Sequence, residues 1–415
     1  MISQPKVLGI AGGLLLLFGL VPGLPKLPFF LIGAAALGFA YILSQSVKET
    51  ELREEEEERG RQLSEARSPE NISSLLQIDP MELEIGYGLI PIVDPDQGGE
   101  LLNRVSIIRR QIALELGLIV PPIRIRDNMQ LPPNTYSIKI KSVEVAKGDL
   151  FLDRLLAMYG GEYEEPIEGI ETTEPAFGLP AIWISPSQKE EAELKGCTVV
   201  DPSSVVATHL TEILRSHAHE LLGRQEVQSL INNVKTTNPV IVEELIPNLA
   251  TVGEVQKILQ NLLRERVSVR DLTTILETIA DYSKTTKDVD VLTEYVRQAL
   301  ARNICMSYLT REKKLPVITL DPKIEQVVAQ GVQQTEQGSY IAIEPSDVQK
   351  IVKSLTEQID KASSLGYQAV ILTSPSVRLY FKRLIERNFP NLTVLSYNEV
   401  TPDIQVESFG MVSYE

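Results

Sequence analysis

Two nearly uncharged apolar runs open the chain, Val7 to Val21 and Pro28 to Leu43, separated by Pro22-Gly-Leu-Pro-Lys-Leu-Pro28. Proline lacks a backbone donor and clashes with the preceding turn, so no helix interior tolerates that cluster. Each run falls slightly short of the roughly 17–25 residues that span a bilayer, and reaches that length only by borrowing from the turn and flanks. The pattern predicts a membrane hairpin over residues 1–45 with both ends on one side. A signal peptide, with Lys6 as its basic start and Val7 to Val21 as its apolar core, is the competing reading. The second apolar run and the lack of an Ala-x-Ala site count against it. From Val47 to Arg67 charge takes over, with five consecutive glutamates at 54–58. Residues 46–79 therefore read as an acidic linker, a solvated helix or flexible segment, ending in a small apolar patch of Ile72, Leu75, Leu76 and Ile78. Its Lys and Arg residues favour a cytoplasmic side for the region C-terminal to it.

The globular pattern begins near Asp79. Met81 to Ile92 reads as a strand with Leu83, Ile85 and Tyr87 alternating. Gly98-Gly99 opens a helix whose apolar positions Leu101, Val105, Ile108, Ile112 and Leu116 keep helical spacing up to Gly117. Ile123 to Ile125 and Tyr136 to Val145 read as further strands. In the second, Val143 and Val145 have the opposite parity to Tyr136, Ile138 and Ile140, which predicts a bulge near Lys141. Residues 151–200, rich in Gly, Pro and Glu, read as an inserted subdomain ending in the strand-like Thr198-Val-Val200. Asp201-Pro202 supplies an N-cap and a first-turn proline for a helix through Val206, Leu210, Ile213 and Leu214 towards Leu222. Residues 225–306 are helical in pattern, with capping-box-like starts at Thr251/Glu254 and Ser268/Asp271 and an apolar face of Leu272, Ile275, Leu276 and Ile279. From Lys314, strands at Val317–Leu320, Ala369–Thr373, Leu392–Ser396 and Ile404–Ser408 alternate with helices after Asp321-Pro322, Pro345-Ser346 and Pro375-Ser376. That is the pattern of a small α/β domain.

One stretch stands out, Glu174-Pro-Ala-Phe-Gly-Leu-Pro-Ala-Ile-Trp-Ile-Ser185, which holds the only tryptophan of 415 residues, Trp183. Two prolines stiffen it ahead of a short β run, Ala181 to Ile184. A stiff loop carrying Phe177 suits docking, since little entropy is lost on binding; equally, Phe177 and Trp183 fit a core. Thr208, in the second turn of the helix after Asp201, is either an ordinary surface hydroxyl or one wall of a groove facing the Phe177 loop. In the second case Val200 and Val205 supply apolar wall and the groove takes a partner's amphipathic segment. The formal charge of −16 argues against nucleic acid as a partner. Cys197 and Cys305 imply neither a disulfide framework nor a zinc site. His217 and His219 point to different helix faces, so no metal is expected there. No nucleophile elbow, Walker loop or dinucleotide fingerprint is present, and Asp94 and Asp96 spoil Gly98-Gly99 as an anion site. Glu162, Glu164 and Glu165 sit in a polar loop. The residues point to a binding protein without cofactor, not an enzyme.

Several ordered motifs resemble a known family: Glu-Leu-Leu-Asn-Arg-Val at 100–105, Ile-Arg-Asp-Asn-Met at 125–129, Pro-Ala-Phe-Gly-Leu-Pro-Ala-Ile-Trp-Ile at 175–184 and Thr-Val-Val at 198–200. Val-Val-Ala-Thr-His-Leu at 205–210, Leu-Gly-Arg-Gln-Glu at 222–226 and Val-Arg-Asp-Leu-Thr-Thr-Ile-Leu-Glu-Thr-Ile-Ala at 269–280 continue the set. Together they resemble the export-gate membrane proteins of the type III secretion family, on its flagellar branch, with fewer matches after residue 310. The resemblance implies an α+β multi-subdomain cytoplasmic region preceded by a transmembrane helical hairpin and charged linker, in a bacterial inner membrane. Its parts would be a first α/β subdomain at 80–152 and 202–221, the insert at 153–201, a helical subdomain at 222–301 and a thioredoxin-like α/β subdomain at 302–415. It implies a homo-nonameric ring that receives export chaperones with bound filament-type subunits, meets other export-apparatus proteins and helps couple the proton-motive force to export. The family's chaperone-docking dimple carries over to Phe177 and Thr208, with Glu174 where many relatives have Asp, and Val200 and Val205 as walls. The virulence-secretion branch shares this architecture and is the alternative. Family members have a longer membrane region, with a loop bearing Phe-His-Ile-Pro-Glu-Pro. This sequence is therefore expected to be a C-terminal portion keeping the last two spans, with proton-handling residues upstream.

Overall fold

The computed structural model describes residues 78–159, 167–335 and 338–414, together with Gly38. Two compact units divide the chain, Met1–Ile78 and Asp79–Glu415. The expected membrane hairpin and acidic linker lie outside the described residues, apart from Gly38, Ile78 and Asp79. Among the described residues no helix is long and apolar enough to cross a membrane.

The second unit starts with a four-stranded sheet. β1 (Met81–Ile85) lies between β2 (Arg124–Asp127), which runs parallel to it, and β3 (Thr135–Ile140), which runs antiparallel; β4 (Val143–Asp149) pairs outside β3. The first strand is shorter than the sequence pattern predicts. Gly86 is pressed against the Pro132 carbonyl oxygen, which a Cβ there would meet at 2.1 Å. The chain then turns into a 3-10 segment, Tyr87–Ile92, that contains Pro91 and leaves Tyr87 exposed. The parity break near Lys141 is a hairpin turn and not a bulge. Lys141 and Ser142 have φ of 49° and 65°, the left-handed pair that a two-residue turn between twisted strands requires. The register does shift once, on β4, where Val145 is passed over between Ala146 and Glu144. Helix α1 (Leu101–Leu116) buries all five of its apolar periodic positions and closes on Gly117 at φ 76°.

An antiparallel sheet with order β6-β7-β5-β8 comes next, from β5 (Leu155–Tyr159), β6 (Ile170–Thr173), β7 (Pro180–Ile184) and β8 (Cys197–Val200). Strand alternation sends Leu156, Ala181 and Trp183 into the main core. Ala157, Ile182 and Ile184 face the other way and close a second cluster with Ala192 of the short α2 (Lys189–Leu194). With both of its faces covered, β7 reads as a run of apolar residues, whereas the edge strand β6 is largely exposed.

Helix α3 (Pro202–Ser216) begins as its sequence predicts, with the Asp201 carboxylate accepting from Ser204 N at 2.9 Å and proline in the first turn. It stops at Ser216, short of Leu222, and His217 separates it from α4 (Ala218–Leu221). The helical region continues with α5 (Arg224–Thr237), α6 (Pro239–Leu245), α7 (Val252–Arg264), α8 (Leu272–Tyr282), α9 (Val289–Ala299) and α10 (Ala301–Met306). Thr251 and Glu254 form the reciprocal cap before α7. Before α8 the cap is Asp271 itself, accepting from Thr274 N at 3.2 Å, while Ser268 stays in the loop ahead of it.

The C-terminal part is a wholly parallel sheet of order β13-β12-β9-β14. It is built from β9 (Lys314–Leu320), β12 (Val370–Thr373), β13 (Thr393–Ser396) and β14 (Gln405–Val412), with α11 (Pro322–Gly331), α12 (Pro345–Ser364) and α13 (Pro375–Ile385) between strands. A small antiparallel pair, β10 (Val332–Thr335) and β11 (Gly338–Ile341), was not visible in the pattern. Leu315, Val317, Val370, Leu372 and Leu395 face the main core, whereas Ile318, Leu320, Ile371 and Val394 pack with the helices on the far side. Burial on both faces is the usual state of a parallel sheet.

Where this sheet meets the helices, two arginines are almost fully buried, Arg297 at 2% and Arg378 at 0% exposure. Arg297 donates from Nε and Nη2 to Glu399 at 2.7 and 3.1 Å, and from Nη1 to Glu265 at 3.2 Å. Arg378 donates to both Glu265 oxygens at 2.7 and 3.1 Å and forks onto Glu294. Burial alone would raise the Glu265 pKa, but Arg297 and Arg378 reverse this and bring it down to about 2. Removing one member leaves buried charge unpaired, which typically costs about 3–5 kcal/mol. Arg378→Met is therefore expected to lower unfolding stability by that amount in urea titrations followed by circular dichroism. A loss under about 1 kcal/mol would mean the cluster is solvated.

Candidate docking groove

The loop joining β6 to β7 is tied to its own first residue. The buried Glu174 carboxylate accepts from Ala176 N at 3.0 Å and from Phe177 N at 2.7 Å. Its backbone N–H donates to Leu179 O at 2.8 Å, and its carbonyl accepts from Gly178 N at 2.9 Å. Gly178 sits at φ 70°, a left-handed position that glycine takes without strain. Wound this tightly, the loop turns Phe177 outward, at 58% exposure. The two aromatics of the stretch thus divide. Trp183 is core, edge-on to Phe151 with centroids 5.7 Å apart, and Phe177 is surface.

Phe177 faces a groove between α1 and α3. These helices pack parallel, with Arg104 Nη1 donating to Ser204 Oγ at 2.7 Å near one end and Arg215 gripping Glu115 at 2.8 and 2.8 Å near the other. Both contacts join residues one hundred apart, so the register between the helices is constant. The groove encloses about 410 Å³, lined by Arg104, Ile107, Ile108 and Gln111 from α1, Ala207, Thr208, Thr211 and Arg215 from α3, and Phe177 from the loop. Thr208 is exposed there, opposite Phe177. Among the residues proposed from sequence, the structure therefore brings Phe177 and Thr208 to one surface and places Glu174 beneath it as the loop's anchor. Val200 and Val205 do not line the groove. Val205 lies on the core face of α3 with Val206, Leu210 and Leu214, and Val200 packs half-buried against the same core. Ile107, Gln111 and the two arginines were missed. Ile107, 64% exposed, carried a signal, because an isoleucine off the buried stripe of α1 has no core to fill.

Directly behind Thr208, the His209 ring is buried and its Nδ1 lies 2.8 Å from the Tyr136 hydroxyl. Burial pushes the imidazole pKa down to about 4. Burial also pushes the Tyr136 hydroxyl up, with the Glu174 and Asp149 carboxylates adding to the effect. His217 Nδ1 is turned to the Ile213 carbonyl and Ser216 hydroxyl. Among the described residues no group of three or more His, Cys, Asp or Glu is placed to hold a metal. The groove offers apolar contact and hydroxyls between two arginines that are ion-paired within the chain, which suits binding a polypeptide segment.

The sequence matches the FHIPEP family over residues 1–405. It is 50% identical over 411 residues to the flagellar biosynthesis protein FlhA of Bacillus subtilis (strain 168), covering 99% of this chain and 61% of that protein. The chain thus spans about three-fifths of that relative's length. Among solved structures, the Chlamydia pneumoniae CdsV protein superposes with a TM-score of 0.72 at 29% identity, covering 81% of this chain and 98% of that one. Nonameric EPEC SctV-C gives a TM-score of 0.67 at 27% identity over the same 81%, and 98% of its own chain. The mixed α/β architecture is therefore that of the SctV C-terminal structures.

The His209 shift has a consequence for stability. The folded state holds the imidazole neutral down to about pH 4, while an unfolded histidine takes up its proton near pH 6.5. Stability is therefore full above about pH 6.5 and falls as pH drops towards 4, by on the order of 3 kcal/mol in all. Urea midpoints measured across that range should show the fall, and His209→Gln, which cannot titrate, should remove this share of it.

Proposed function

This chain belongs to the FHIPEP family, and we propose that it serves as the docking platform of a flagellar type III protein export gate. Export chaperones carrying filament-type subunits bind at the groove between α1 and α3 and are passed to a channel driven by the proton-motive force. One observation carries the reading: Phe177 is held out of the core on a loop wound about Glu174, facing Thr208 across an open groove. A pre-ordered aromatic beside a concave surface loses little entropy on binding and is the usual anchor of a protein interface. The chain acts by binding and not by catalysis, and needs no cofactor. Residues 1–45 anchor it in the bacterial inner membrane, with the second unit in the cytoplasm. Copies assemble into a ring, as the nonameric EPEC relative does, where they meet other export-apparatus proteins. The second unit is organised as a first α/β subdomain at 80–152 and 202–221, an insert at 153–201, a helical subdomain at 222–301 and a thioredoxin-like α/β subdomain at 302–415. The 50% identity to a flagellar protein favours the flagellar branch over the virulence branch.

Calorimetric titration of the detergent-solubilised chain with a flagellar chaperone–filament-subunit complex tests it. Saturable binding is expected, and Phe177→Ala should weaken it by at least about 30-fold, the roughly 2 kcal/mol of an interface hot spot. Unchanged affinity in Phe177→Ala would remove the groove from the docking role, and binding only of an effector chaperone would shift the assignment to the virulence branch.

A further inference from the structure

A second cavity, of about 390 Å³, shares no residue with the docking groove. Helix α9 contributes Val291 and Tyr295 to it, α13 contributes Leu379 and Tyr380, and the turn after β13 contributes Asn398. It therefore opens where β12 and β13 end and α13 begins, the edge at which open α/β sheets usually take ligands. Its volume falls within the roughly 300–1,000 Å³ of ligand pockets.

The lining excludes one ligand class and favours another. Asp288, Asp290 and Glu294 line the cavity, and no lysine or arginine does, so an anion is repelled. Two of these carboxylates are already met within the chain, Glu294 by Arg378 and Asp290 by Arg383 at 2.8 Å. Asp288 is not. Its Oδ1 caps α9, accepting from Asp290 N at 2.8 Å and Val291 N at 3.4 Å. Its Oδ2 has no partner among the described residues, and Asp288 enters no ion pair there. The hydroxyls of Tyr295 and Tyr380 likewise have no hydrogen-bond partner among the described residues. Tyr282 stacks on Tyr295 with centroids 3.9 Å apart, which fixes that ring and leaves it one face to present. Tyrosine continues beyond the cavity. Tyr340 follows the lining Ser339, Tyr397 lies between the lining Ser396 and Asn398, and both are 53% exposed.

We propose that this cavity is a second docking site, which takes an arginine side chain flanked by apolar residues on a partner protein. The guanidinium lies against the Tyr295 and Tyr380 rings and its charge meets Asp288 Oδ2, while its alkyl stem packs on Val291 and Leu379. A planar guanidinium stacks on aromatic faces and pairs with a carboxylate at once, which a lysine ammonium does less well. The exposed tyrosines around the cavity give the flanking residues a surface that a free cation leaves unused, and such residues are enriched at protein interfaces. A chain of formal charge −16 also draws a basic segment towards it. The site does not depend on the Phe177 groove, and either reading stands without the other.

The test uses the full chain in detergent and a capped pentapeptide, a central arginine with two prolines on each side, titrated by saturation-transfer NMR. Saturable binding is expected, weaker by about fivefold with citrulline or lysine in place of the arginine. Asp288→Asn keeps the helix cap and removes the charge, and should cost about fivefold. Tyr380→Leu keeps apolar bulk without the aromatic face, and should also cost about fivefold. Glu171→Gln, which removes an equal charge from the exposed strand β6, should bind like wild type, as should Phe177→Ala. Circular dichroism confirms that the variants fold. The proposal is overturned if Asp288→Asn or Tyr380→Leu keeps wild-type affinity, or if the citrulline peptide binds equally well. It is also overturned if Glu171→Gln weakens binding as much as Asp288→Asn, which would mark attraction to net charge alone. Loss of binding in Phe177→Ala would move the peptide to the docking groove and overturn this site while leaving that one. Argininamide binding as tightly as the pentapeptide would assign the cavity to a small cation, against a protein partner. No saturable binding up to about 10 mM peptide overturns the proposal outright.

Discussion

Arg297 and Arg378 are kept out of water at the join between the helices and the parallel sheet, and the geometry of that join depends on how their charge is met. Taking a guanidinium out of water costs several kcal/mol, returned only by carboxylates placed at hydrogen-bond distance on its planar fork. Glu265 comes from the loop after α7, Glu294 and Arg297 from α9, Arg378 from α13 and Glu399 from the turn after β13. Glu265 is shared by both arginines, so no segment can shift without leaving a charge unmatched. Apolar packing tolerates sliding; five charged groups meeting at fixed angles do not.

The groove depends on a different constraint, a detour in the chain. Helices α1 and α3 lie side by side and parallel, and a parallel neighbour needs a crossover. The chain makes that return through β2–β4 and the inserted sheet, whose last strand, β8, ends one residue before the Asp201 cap of α3. The insert thus both delivers α3 to its place beside α1 and hangs the Phe177 loop over the space between them. Its two-sided burial, Trp183 on one face and Ile182 on the other, fixes the strand that carries the loop.

Helices with a clear apolar stripe were legible in the sequence. The five buried positions of α1 and the Asp201-Pro202 start of α3 are local signals, and local physics decides them. The turn at Lys141 and Ser142 was not legible, because neither residue advertises a positive φ as glycine or asparagine would. The shortening of β1 depends on Pro132 and Pro133 lying against Gly86, a contact between distant residues. At the groove, Phe177 and Thr208 were reached through a stiff aromatic loop and a family resemblance. Arg104 and Arg215 were not, since a helix-surface arginine looks alike whether or not a second helix makes it the end of a groove. The buried arginines were hidden for the same reason: Arg297 and Glu399 are 102 residues apart, and only the fold makes them neighbours.

The chain also carries its own optical probe. Trp183 is the only tryptophan in the sequence and sits in β7, three residues beyond the strand end where the Phe177 loop enters. Its indole lies dry against Phe151, in the core beneath the inserted sheet. Emission from the protein therefore reports the packing of one strand, the strand on which the loop is mounted. A ligand that seats in the groove without moving that strand is spectroscopically silent, and one that prises the insert from the core is not.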